Sequence, residues 1–431
     1  MSFTEIKGAR THDSYFKAVH PTGLTIYVYP KEGYGSTYAM FGTKYGSVNR
    51  TFSVNGGEKL TVPDGIAHYL EHKLFESEDG DAFTRYAKTG ASANAYTSFD
   101  KTCYLFSCTE NFEASLEILL DFVQSPYFTE QTVQKEQGII GQEIRMYDDS
   151  PEWRVMFNLL EAMYHSHPVK IDIAGTVESI AQITPEYLYQ CYESFYNLNN
   201  MVLCVAGSCT PEQVYKVADK MLKPCKKQTV ETFFGPEPES VVKEYVEQIF
   251  PVAVPMFQLG FKTKAGEARS TSDELALTDI LLFALASNSS PMYRELMEKE
   301  LINQSFNYEF FEGPGYVSVL FSGESRDPKQ TAEIIRGYVD EARRNGLPEE
   351  DFEIAKKAIY GETVGSLNNI ESIANVLTEF AFTGKELYAY IDAVAGAKRE
   401  AACKRLESLL DSGKSALSVV CLLYTSPSPR D

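Results

Sequence analysis

Two histidines, His68 and His72, stand four residues apart in VPDGIAHYLEHKLFE, with Glu71 just before the second. On a helix, positions i and i+4 share one face. Two imidazoles so placed can bind one zinc ion at about 2.0–2.1 Å each. Glu71 borders that face and could accept a proton from a water activated there. The order H-x-x-E-H is an inverted zincin pattern. Pro63 and Asp64 mark the expected start of the helix. The same residues also fit two partly exposed histidines on an amphipathic helix, with an ordinary surface glutamate.

A third ligand would complete a catalytic metal site. The predicted helix 130–146 carries Glu136 and Glu143, two turns apart on one face. Two histidines and a distant glutamate leave one position open for water, the arrangement expected of catalytic zinc. Gly138 and Gly141 lie between the two glutamates. Each costs a helix about 1 kcal/mol relative to Ala, which a closely packed neighbour would explain. Glutamates are also common on helices for no chemical reason. His165-Ser-His167 has no matched carboxylate in the pattern and reads as a loop after a helix.

The elements that must position these residues occur twice. Residues 95–123 and 307–338 each predict an aromatic strand, a tight turn, a strand ending in Phe-Ser, a polar loop and an amphipathic helix. Thr129–Glu143 lines up with Pro348–Glu362 at an offset of 219 residues. A duplication of this period means two similar domains rather than a solenoid. All six histidines (12, 20, 68, 72, 165 and 167) fall in the first copy, which points to one active and one inactive domain. Gly235-Pro236-Glu237-Pro238 can continue neither a helix nor a central strand. The expected division is therefore an active domain 1–223, a linker 224–245 and an inactive domain 246–420. Each domain is expected to be α+β, an antiparallel sheet with helices packed on one face.

The chain has 431 residues, 44% hydrophobic and 23% charged, with 40 basic against 60 acidic residues and a net charge of -20. Length predicts two to four domains at about 100–200 residues each. The acidity argues against nucleic acid and anionic lipid as partners. No apolar run near 18 residues stands out as a membrane span, and the N-terminus has no secretion-signal pattern. The eight cysteines form no C-x-x-C pair and read as free thiols of a cytoplasmic protein. Lys223–Lys227 is a short basic patch, expected to be solvated. Residues 421–431 match a translated sequencing adapter and are set aside from fold reasoning.

DGIAHYLEHKLFE, GASANAYTSFDKTCYLF and KEQGIIGQEI together resemble the M16 metallopeptidases, the pitrilysin, insulin-degrading and mitochondrial processing peptidase group. The resemblance covers residues 1–420, strongly over 24–207 and loosely after 245. It implies an M16B-type zinc endopeptidase of LuxS/MPP-like fold, with one zinc per chain, whose domains enclose a cavity for short or unfolded peptides. It implies that His68, His72 and Glu143 ligate the metal and that Glu71 is the general base. Glu136 joins the catalytic set as a support that does not ligate. Asn94 and Ala95 match the strand that pairs with substrate, and Ser92–Phe99 is polar, small and β-competent enough to take a peptide on an open edge. An ordinary strand with a turn at Asp100-Lys101 fits as well.

One departure matters. The family's inactive half usually supplies an Arg and, seven residues later, a Tyr. The matching positions here are Met297 and Gln304, with Arg294 and Tyr308 nearby at the wrong spacing. The resemblance then implies a second M16B chain supplying the pair, or a homodimer. Two rival readings are a non-catalytic scaffold of the same fold and an S-ribosylhomocysteine lyase-like metalloenzyme. Chain length and Glu143 argue against the lyase.

Overall fold

The computed structural model describes residues 3–78, 80–266 and 268–422. Two compact units form, each from three chain segments. The first gathers the chain through Ile144, Asp172–Phe233 and Glu362–Asp392; the second gathers Arg145–Ile171, Phe234–Gly361 and the chain from Ala393. The expected consecutive blocks are thus interleaved, for a reason given by the helices below.

In the first unit, seven strands form one sheet: β1 (Thr4–Lys7), β2 (Ser14–Val19), β3 (Thr25–Pro30), β4 (Thr37–Thr43), β5 (Ser92–Thr97), β6 (Thr102–Cys108) and β7 (Met201–Gly207). Their order is β1-β2-β3-β7-β4-β6-β5, so β5 is an edge. Every pair is antiparallel except β3 with β7, which is parallel. Alternation alone could not show this exception, because the partners are separated by most of the repeat. β4 and β7 are buried along their whole length, as strands covered on both faces must be.

The second unit repeats the plan with β8 (Tyr245–Ile249), β9 (Met256–Thr263), β10 (Asn307–Gly313), β11 (Tyr316–Glu324) and β12 (Ser415–Cys421). The order β8-β12-β9-β11-β10 matches β3-β7-β4-β6-β5 strand for strand. The parallel pair, β8 with β12, falls in the same place. Two homologous α+β domains are therefore present. Cys421, the first of the residues set aside, pairs with Ile249 at the end of β12. Residues 423–431 lie outside the described residues.

The site is carried by helices α1 (Ile66–Leu74) and α2 (Glu130–Asp148). Two further helices exchange places. Helix α3 (Pro151–Met163) follows the first repeat in sequence but packs on β12 and β9 of the second unit. Helix α4 (Ile370–Thr383) stands at the same offset of 219 residues and packs on β7 and β4 of the first unit. The crossing is tight in both. A methyl on Gly260 would meet Met163, and one on Gly42 would meet Phe382, residues again 219 apart. This reciprocal exchange interleaves the units.

The expected linker does not run free. Val230–Thr232 pairs with Thr51–Val54 in the first unit. In the second unit, the Glu237 carboxylate accepts the backbone N–H groups of His165, Ser166 and His167 at 2.8–2.9 Å and pairs with Lys262 Nζ at 2.6 Å. His167 is fully buried. It accepts from Val169 N–H at Nδ1 and donates from Nε2 to the Pro314 carbonyl at 2.8 Å. This is a neutral structural histidine, in a stretch that follows a helix as expected.

Burial works against the Glu237 charge, but Lys262 and the three N–H groups more than offset it and bring its pKa down to about 2. Burial holds His167 down to about 4. Both depressed values mean that stability is fully present above the unfolded pKa and is lost as pH falls through the folded one. The window therefore runs from about pH 6.5 for His167 and 4.5 for Glu237 down to about 4 and 2. Glu237→Gln leaves Lys262, 2% exposed, without its counter-charge. We expect it to lower stability by about 3 kcal/mol and to flatten the acid limb below pH 4.5, read by denaturant unfolding against pH. An unchanged acid limb would count against this account.

Among the described residues, the segment Ser272–Glu298 is long and apolar enough to cross a membrane by length and composition, which inspection of the sequence missed. Most of its most apolar 18-residue stretch is buried within the protein, as in core helices.

Candidate metal centre

Helix α1 begins at Ile66, capped by Gly65 at φ 87°, just after the expected start at Pro63 and Asp64. A Cβ on Gly65 would stand 2.3 Å from the Ala174 carbonyl oxygen, so both backbone sign and space require glycine. The helix is buried nearly all round: His68 is 7% exposed, Glu71 8% and Lys73 0%. His68 is thus buried, while His72 stays partly exposed, its side chain 26% accessible.

The Tyr69 hydroxyl donates to the Val133 carbonyl and so ties α1 to α2. This brings His68, His72 and Glu143 together, with one ligand atom from each lying within 4.8 Å of the others. His72 Nε2 lies 3.4 Å from Glu143 Oε2, and His68 Nε2 lies 3.7 Å from Glu143 Oε1. Atoms bound at about 2.0–2.1 Å to one tetrahedral ion stand about 3.3 Å apart, so the set fits zinc. His68 supports this independently. Burial, then the neighbouring His72, lowers its pKa to about 4. Its buried Nδ1 has no hydrogen-bond partner, and Nε2 is too far from Glu143 for a hydrogen bond. A buried neutral imidazole whose Nε2 makes no hydrogen bond to Glu143 suits a metal ligand through that atom.

Glu136 meets a different atom. His72 Nδ1 lies 3.2 Å from Glu136 Oε1, which leaves Nε2 facing Glu143. Burial raises the Glu136 pKa, but the His72 hydrogen bond and the nearby Lys73 and Lys135 bring it below the usual range. A carboxylate behind a ligating imidazole orients the ring. Glu136 therefore meets His72 on the nitrogen opposite the one facing Glu143 and also lines the cleft, a place that suits a residue orienting the ring rather than one ligating the metal.

Glu71 lies in an open cleft of about 550 Å³ that His72, Glu136, Asn94, Ala95 and Phe83 also line. Burial raises its pKa, and a hydrogen bond from Thr97 Oγ1 to Oε2, 2.7 Å, works against that. Thr97 was not singled out in the sequence. Its signal was period-two spacing, which puts it on the same face of β5 as Ala95. Lys73, fully buried and paired with Glu76, was also missed; a lysine inside an apolar helix was the sign. Asn94 and Ala95 sit on the open edge β5. The Ala95 N–H donates to Asn94 Oδ1 at 2.9 Å, and Ala95 stands opposite Tyr104 of β6.

Other expectations fare differently. A Cβ at Gly138 or Gly141 would meet no atom within 4 Å, so no close neighbour explains them. Among the described residues all eight cysteines are free, and Cys225 is exposed. Met297 is 37% exposed and Gln304 is exposed. No Arg–Tyr pair occupies those two positions.

The fold is that of the M16 peptidases, and the chain belongs to that family. The description "Insulinase (Peptidase family M16)" matches residues 54–177, which contain all five site residues on α1 and α2. "Peptidase M16 inactive domain" matches residues 182–359. The chain is similar to the uncharacterized zinc protease YmfH of Bacillus subtilis, 45% identical over 374 residues, 85% of this chain and 87% of that one. It is similar to a solved M16-like peptidase from Alicyclobacillus acidocaldarius, with TM-score 0.91 and 34% identity over 98% of this chain and 99% of that one. It is also 27% identical over 163 residues to a mitochondrial-processing peptidase subunit beta of Arabidopsis thaliana, 37% of this chain and 31% of that one.

Proposed function

We propose that this protein is a zinc-dependent endopeptidase acting on peptides or unfolded segments. The observation that carries this reading is the convergence of His68, His72 and Glu143 beside buried Glu71, with Glu71 and His72 lining a cleft that reaches an open sheet edge. His68, His72 and Glu143 would hold one zinc ion. Bound there, zinc supplies a Lewis acid toward water and the scissile carbonyl. Edge β5 would take the substrate as an added strand through Asn94 and Ala95. Glu71, anchored by Thr97 at one oxygen, has its other oxygen to take the water's proton. It would pass that proton to the amine as the amide C–N bond breaks.

The exposed Met297 and Gln304 favour a second element of this reading. A second M16B-type chain would bring the Arg and Tyr that this chain lacks there, with a homodimer as the other assembly. The Arabidopsis relative, named a subunit, supports pairing.

The test is cleavage of a mixed quenched-peptide library by the zinc-loaded protein. Hydrolysis should vanish with a chelator and return with zinc. Zinc binding without hydrolysis, alone and after mixing with an M16B chain that carries the pair, would favour a non-catalytic scaffold.

A further inference from the structure

Helix α4 comes from the second repeat, outside the segment that carries the site, yet it lies on the first unit's sheet. Its Ala374 joins the core formed by Tyr38, Met40 and Cys103, with Tyr96 packed against it. Two polar contacts reach further. Asn375 Oδ1 accepts from the Tyr96 hydroxyl at 3.4 Å, and Glu379 Oε2 accepts from Lys101 Nζ at 2.6 Å. Tyr96 belongs to β5, and Lys101 belongs to the turn joining β5 to β6. Lys101 is 19% exposed and Glu379 35%, so the pair is partly shielded from solvent.

Alternation makes these contacts consequential. Tyr96 points to the α4 face of the sheet, while its neighbour Thr97 points to the opposite face and holds Glu71. An edge strand has a partner on one side only. Beyond β6, the position of β5 therefore depends on what grips its side chains. We propose that α4 is a brace for the peptide-binding edge, with Asn375 and Glu379 acting as positioning residues. Through Tyr96 and Lys101 they set where Asn94 and Ala95 present their backbone and where Thr97 holds Glu71. The repeat with no histidines thus contributes to the active site through a helix it has exchanged. This inference rests on the endopeptidase reading for its kinetic consequence, but not for its structural one.

The test is Glu379→Gln in the full chain, with three readouts. KM for a cleaved peptide should rise about tenfold, since small misplacements of a binding edge are costly. Amide exchange should quicken over Ser92–Thr97. Zinc affinity should match the parent, because its candidate ligands lie on α1 and α2. Asn375→Ala should act in the same direction, and Glu379→Asp, which keeps the charge, should recover most of KM. Unchanged exchange over Ser92–Thr97 in both variants overturns the proposal, whatever the effect on melting temperature. A loss of zinc affinity in step with KM also overturns it, since that marks general destabilisation. If the parent hydrolyses no peptide, the endopeptidase reading fails by itself, and exchange with zinc affinity still decides the brace.

Discussion

Glu71→Gln is expected to lower kcat/KM by about 10²–10⁴-fold, the usual contribution of a positioned general base. The change is nearly isosteric, and the amide can still accept from the Thr97 hydroxyl that now holds Oε2. It removes a carboxylate that is 8% exposed, so the fold has no reason to weaken. Zinc content should be unaffected, because Glu71 is outside the set that converges on one point. Steady-state hydrolysis, zinc analysis and a thermal melt on the same preparation check all three expectations. Activity within threefold of the parent, with zinc bound, would remove Glu71 from the chemistry.

The second large effect concerns the metal. Glu143→Ala deletes one of three converging donors and leaves two imidazoles, too few for a closed set. Its zinc affinity should fall by more than the roughly 10–100-fold typical of losing an outer partner. Glu136→Ala should fall within that range, since Glu136 acts on His72 Nδ1 and not on the ion. Competition with a chromophoric chelator reads both. The reverse order would exchange the roles of the two glutamates. The structure separates them by 3.2 Å from Nδ1 in one case and 3.4 Å from Nε2 in the other. In sequence they are simply two glutamates on one helical face.

Much of this protein is written in its local sequence. His68, Glu71 and His72 share a turn of helix, so their juxtaposition follows from a period of 3.6 residues and needs no distant information. The duplication is equally legible, because each repeat must encode the same strands and helix for itself. So is the β-competence of Ser92–Thr97, although not its place at an edge. What the sequence left open depends on contacts between distant segments. The hydrogen bonds from Tyr69 to Val133 and from Thr97 to Glu71 link residues 64 and 26 positions apart, and no periodicity announces either. Gly65 was quoted within the motif, but its need for a positive φ is visible only where Ala174 closes on it. The exchange of α3 and α4 is the clearest case. Both helices are amphipathic, and periodicity alone does not say which sheet covers their apolar faces. Only tertiary packing, at Gly42 under Phe382 and at Gly260 under Met163, decides that each leaves its own repeat and covers the other.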